Sequence, residues 1–122
     1  MNLLTSKNIL SNNVHWLLRI SLAITFIYHG YPKVIDCSGL ISMGMPTFLA
    51  YLIGPFEVVG GALLVIGAFT NDNLTRLGAL LIAVIMIGAI FVVHINDGWS
   101  GMEWQILILS TCILFIVKGN NV

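Results

Sequence analysis

The sequence predicts an all-α protein, a bundle of four transmembrane helices in up-down-up-down order with both termini cytoplasmic, forming a single domain over residues 1–122. Three observations predict it. Hydrophobic residues make up 58% of the chain and charged residues 8%, against about 25% charged in an ordinary soluble domain, and mean hydropathy is +1.00. Four apolar runs lie at about residues 14–31, 46–69, 74–95 and 102–118, each near the roughly 17–25 residues a helix needs to cross a bilayer. The gaps between them, YPKVIDCSGLISMGMP, TNDN and NDGWSG, are short and rich in turn residues.

The first run follows a polar stretch, MNLLTSKNILSNN, and no small-residue cleavage site comes after it. It therefore reads as a retained anchor and not as a signal peptide. The second run opens at Pro46, a residue suited to a first helical turn. Within it, YLIGPFEVVGGALLVIGAF holds one charge, Glu57. The third and fourth runs continue after the tight turns TNDN and NDGWSG, and the 12 glycines suit closely approaching membrane helices.

Lysine and arginine set the orientation. Lys7, Arg19, Arg76 and Lys118 fall on the side of the termini, and Lys33 falls on the other. Four charges against one put both termini in the cytoplasm. Trp16 then sits at the inner interface and Trp99 and Trp104 at the outer one. The formal net charge is zero and the basic residues are scattered, which excludes a nucleic-acid partner. Cys37 and Cys112 form no CxxC pair, and no disulfide is expected between them.

An acidic residue at a helix centre costs roughly 2.5–3.5 kcal/mol on insertion scales, so Glu57 needs a reason. In this topology each helix offers one titratable group to the outer half of the bundle: His29, Glu57, His94 and Glu103. Thr25 lies one turn below His29. Gly54, Glu57, Gly60 and Gly61 share an arc of roughly 120°, a small-residue face suited to packing against protein. Cys112 falls about 180° from Glu103, as an ordinary lipid-facing or packing residue. Taken singly, each group has a structural explanation. Glu57 could be a helix-bonding carboxyl, His94 an interfacial histidine, and Glu103 a charge favouring a helix N-terminus. Arg19 is expected to snorkel to the inner headgroups, and Lys33 and Asp36 are compatible with solvated loop charges. Carboxylate-bridged metal sites in bundles use a Glu-x-x-His repeat, and none occurs here, so no metal is expected. A proton-handling or ligand-orienting cluster is the reading the convergence supports.

The series RISLAITFIYHGYPKV, GPFEVVGGALLVIGAFT, TRLGALLIAVIMIGAIFVVHINDG and EWQILIL resembles the DoxX family of small four-helix membrane proteins. The resemblance covers roughly residues 16–118. It rests on Arg19, His29-Gly30, Lys33, Glu57, Gly60-Gly61, Gly67, Arg76, His94 and Glu103 in order and spacing. It implies a multi-pass protein of the bacterial inner membrane that is linked to membrane oxidoreductase systems, including quinone-reducing ones, and so to other protein subunits.

Two functions follow as expectations. The first is an integral membrane subunit of an oxidoreductase system that contributes a quinone or proton-handling site. His29, His94 and Glu57 or Glu103 would supply hydrogen bonds and protons, Lys33 and Thr25 would support them, and Tyr28 and Tyr31 would wall the slot. The chain has no haem, iron–sulfur or flavin motif and no thiol pair, so no intrinsic cofactor is expected and electrons would come from a partner. The second is an accessory subunit that packs against and stabilises a larger membrane complex without chemistry of its own. A small-acid or proton carrier is a third, weaker expectation, since four helices without a repeat make a poor alternating-access machine.

Overall fold

The computed structural model describes residues 9–122. Lys7, one of the charges behind the orientation, lies outside the described residues. The elements are α1 (Ile9–Asn13), α2 (His15–Ile35), α3 (Ser38–Ser42), α4 (Thr47–Phe69), α5 (Asp72–Gly88) with a π-helical continuation (Ala89–Val93), and α6 (Gly98–Lys118). No strand occurs among the described residues. Three helices are long and apolar enough to cross a membrane: Thr47–Phe69, Asp72–Val93 and Gly98–Lys118. The fourth long helix, α2, matches them in length with 21 residues but carries a more polar sequence.

The four long helices alternate in direction, as their close contacts show. Gly30 and Gly61 of the α2–α4 seam meet Gly54 and Ala23, so residue numbers rise on one helix as they fall on the other. Gly60 meets Gly78 across α4 and α5, and Arg76 of α5 meets Ile116 of α6. Each helix therefore packs on its neighbour in sequence, while α2 and α6 make no extended contact. That leaves a cleft between the first and last long helices. Below it, Leu22, Phe26, Leu64, Ile82, Cys112 and Phe115 form the core. The outward faces carry large apolar side chains such as Leu17, Leu80, Leu107 and Ile113, the surface a helix presents to lipid.

Two features differ from the sequence expectation. Helix α2 does not end at Tyr31 but runs through Pro32 to Ile35. Proline lacks the N–H that its position would donate, yet a membrane-type bundle tolerates it when neighbours re-satisfy the backbone. The extra turn puts Lys33 on a helix instead of in a loop. Pro55 likewise sits inside α4. Asp36, by contrast, remains a loop charge: it accepts from the Ser38 N–H at 2.9 Å, which holds its carboxyl below the usual range.

The second difference is Arg19, which does not snorkel. Its side chain is fully buried. The guanidinium donates to Leu64 O (2.6 Å), Thr75 Oγ1 (3.0 Å), Asn120 Oδ1 (2.8 Å) and His15 Nδ1 (2.9 Å). It lies 5.0 Å from the Phe115 ring centroid and 5.8 Å from that of Trp16. Gly119, at φ +58°, turns the chain after α6 so that Asn120 folds back onto this group. There Asn120 also donates to Gly67 O and receives a bond from Thr75. A buried cation costs heavily unless its donors are filled, and here neutral oxygens, an imidazole and two aromatic faces fill them. Arg19 thus ties α2, α4, α5 and the segment after α6 at one end of the bundle.

Candidate functional site

Small residues build the site by letting α2 and α4 touch. A Cβ added at Gly30 would lie 2.7 Å from the Glu57 Cβ and 2.9 Å from the Gly54 carbonyl oxygen. One added at Gly54 would lie 2.7 Å from the Val34 nitrogen and 2.8 Å from the Lys33 carbonyl carbon. The two glycines therefore bracket the point where Lys33 and Glu57 meet. Lys33 Nζ donates to Glu57 Oε1 at 2.8 Å. The carboxylate side chain is 4% exposed and that of the lysine 31%, so the pair spans from interior to rim. This answers the question Glu57 raises: its cost is offset by a cation one helix away.

The pair satisfies only half of the carboxylate. Glu57 Oε2 is buried and has no hydrogen-bond partner, and so is Gln105 Oε1. Both residues line one cavity of about 190 Å³, together with Thr25, Phe26, His29, Lys33, Met86 and Ile108. The lining comes from α2, α4, α5 and α6, at the cleft between α2 and α6. Phe26, Met86 and Ile108 supply apolar walls, and the polar atoms converge from the α4 and α6 sides. Exposed His29 stands at the mouth. Its ring packs edge-on against Tyr28 at 5.5 Å between centroids.

Among the residues expected from the sequence, the structure brings His29, Glu57, Lys33 and Thr25 to this cavity. It places His94 and Glu103 elsewhere. His94 follows the π-helical segment, where its backbone N–H bonds Ala89 O five residues back, and its Nδ1 lies 2.8 Å from Asp97 Oδ2. Glu103 is half-buried and does not line the cavity. Tyr28 and Tyr31 face outward, 75% and 60% exposed, and wall no slot.

Gln105 escaped the sequence reading. The inward stripe of α6 is Gln105, Ile108, Cys112 and Phe115, at helical spacing. Glu103 and Cys112 do lie on opposite faces, as the sequence indicates, but it is the Cys112 face that turns inward. Following that apolar stripe back toward the N-terminus of the helix would have found Gln105. Both cysteines are free. Among the described residues, no group of three or more His, Cys, Asp and Glu is placed to hold a metal ion.

A second, larger groove of about 480 Å³ lies near the Arg19 end, lined mostly by apolar residues including Leu17, Leu18 and Leu114, with His15 and Lys118 at its edge. It holds no convergent buried polar atoms. The smaller cavity is the one with chemistry.

Comparison with known proteins places the chain. The DoxX family profile matches residues 15–95. A protein of Bacillus subtilis (strain 168) described as "Putative oxidoreductase CatD" is 35% identical over 110 residues, covering 86% of this chain and 78% of the relative. No solved structure matches.

Proposed function

This chain belongs to the DoxX family, and within it we propose that the protein is a membrane subunit of an oxidoreductase system whose Lys33–Glu57 cavity binds one quinone-type ring and handles its protons. All four long helices cross the membrane in this reading, α2 included, with both termini on the cytoplasmic side of a bacterial inner membrane. A partner subunit supplies the electrons. The oxidoreductase description of the Bacillus relative supports the association.

The observation that carries the reading is a buried carboxylate with one oxygen on Lys33 and the other free toward a ring-sized cavity. An apolar cavity of about 150 Å³ takes a benzene ring, so about 190 Å³ has room for a ring with small substituents. The donor set fits such a group. Lys33 presents an ammonium, His29 an imidazole and Gln105 an amide, while Met86 and Phe26 suit contact with an aromatic face. The gap between α2 and α6 gives an apolar tail an exit to lipid.

A quinone, when bound, supplies a pair of ring oxygens that take up protons as the ring takes up electrons. The chain's own residues supply position and protons. Lys33 Nζ holds a proton 2.8 Å from Glu57 Oε1, and Glu57 Oε2 stands ready to accept or return one at the cavity wall. His29 joins the cavity to its exposed mouth, where an imidazole can exchange protons near neutral pH. The apolar walls exclude bulk water from the ring faces.

Glu57→Gln tests the reading. The amide keeps size and hydrogen-bonding capacity but cannot take up a proton there. In the complex isolated with mild detergent from the native membrane, quinone turnover should fall by about two orders of magnitude or more, with co-purifying subunits unchanged. The competing reading, an accessory subunit without chemistry, draws on Arg19, a buried cation used wholly to tie helices together. It requires the opposite result: lower assembly, and normal turnover in whatever complex forms.

A further inference from the structure

The two unpartnered buried oxygens, Glu57 Oε2 and Gln105 Oε1, are both acceptors, and both belong to the lining of one cavity. A buried acceptor left without a donor is unfavourable, so these atoms describe what an occupant must bring. Lys33 already holds Glu57 Oε1 at 2.8 Å, and the oxygen left for a ligand is Oε2. From the ring-binding reading above, on which this step rests, we infer that the cavity selects the reduced, dihydroxy form of the ring. One ring hydroxyl donates to Glu57 Oε2 and a second donates to Gln105 Oε1.

The preference follows from pairing rules. A quinone carbonyl set against Glu57 Oε2 would place two acceptors face to face. A hydroxyl there makes an O–H···O bond to an ionised partner, among the stronger hydrogen bonds a protein forms. Gln105 is the adaptable member, because its amide can rotate to present N–H₂. Glu57 has no such freedom while Lys33 occupies its other oxygen. Glu57 therefore sets the preference, and Gln105, reaching from α6, determines specificity at the second hydroxyl. Phe26, Met86 and Ile108 cover the ring without hydrogen-bonding to it.

The test uses the full-length protein in lipid nanodiscs and measures binding of three probes: 1,4-dihydroxybenzene, 4-methoxyphenol and 1,4-dimethoxybenzene. They share a ring and lose hydroxyl donors stepwise. Binding should weaken at each loss, by about tenfold in all or more. Gln105→Met, of similar length, should weaken the dihydroxy probe by about tenfold and leave the dimethoxy probe unchanged. Equal binding of all three probes would overturn the donor assignment and leave ring binding standing. Binding of none would overturn both. The wild-type series decides the matter even if Gln105→Met does not fold.

Discussion

Replacing Gly30 with alanine tests the seam on which the site is built. The added Cβ would sit 2.7 Å from the Glu57 Cβ, 2.9 Å from Gly54 O and 3.0 Å from Val58 Cγ2. Ordinary contact begins near 3.4 Å. The tightest neighbour must therefore give by about 0.7 Å, the shortfall between those two distances. Neither the Glu57 Cβ nor a helix carbonyl is the tip of a flexible side chain, so α2 and α4 must part. Overpacking of this kind costs about 1–3 kcal/mol. Alanine regains about 1 kcal/mol of helix propensity over glycine, so a control must remove that contribution. Gly88→Ala serves: it too lies in a helix, and its Cβ would meet nothing within 4 Å. Reversible unfolding by titration with sodium dodecyl sulfate, followed by circular dichroism, gives both stabilities. Gly88→Ala should stabilise by about 0.5–1 kcal/mol. Gly30→Ala should fall about 1–3 kcal/mol below it. If the two variants agree within about 0.5 kcal/mol, the α2–α4 seam is not as tight as the structure has it, and the placement of Lys33 against Glu57 loses its support.

Two further outcomes are expected. Arg19→Lys should cost about 2–4 kcal/mol in the same titration, because one ammonium cannot reach Leu64 O, Thr75, Asn120 and His15 as the guanidinium does; a wild-type unfolding curve would refute the tying role. With the native cysteines buried, Asn73→Cys in the α4–α5 turn should react with a membrane-impermeant maleimide from the cytoplasmic side alone. Met43→Cys before α4 should react from the outside alone, and the reverse pattern would invert the proposed topology.

The long helices were legible because apolar runs of membrane length leave the chain few alternatives. The run at 46–69 became Thr47–Phe69, and the run at 102–118 became Gly98–Lys118. Glu57 was legible for the same reason, since one charge stands out in such a run. What it pairs with was not. Lys33 follows a proline in a segment that reads as a turn, and only the packed bundle carries α2 through Pro32. His94 was misplaced by a local event: the π-helical turn takes one more residue than an α-turn, so helical angles counted along α5 no longer apply at its end. Gln105 was overlooked because Glu103 is charged and an amide two residues on attracts less notice, although only the latter lies on the inward stripe. Arg19 sits one turn from a span end, where a snorkelling and a buried side chain have the same sequence. Its partners Leu64, Thr75 and Asn120 are 45, 56 and 101 residues away, and no local pattern reports them.

The bond between Arg19 and Asn120 has a consequence for how the protein is made. A chain emerging from the ribosome delivers α2, with its guanidinium, before any of the groups that will satisfy it. Leu64 arrives with α4, Thr75 with α5, and Asn120 only after α6 is complete. Throughout insertion the nascent protein carries an unmet positive charge, and the last helix cannot silence it without the short turn that follows. A product cut off before Asn120 therefore displays a marker that membrane proteases and insertion chaperones can read. Completion of synthesis and concealment of the charge become the same event, and Arg19 acts as the chain's own signal that it is finished.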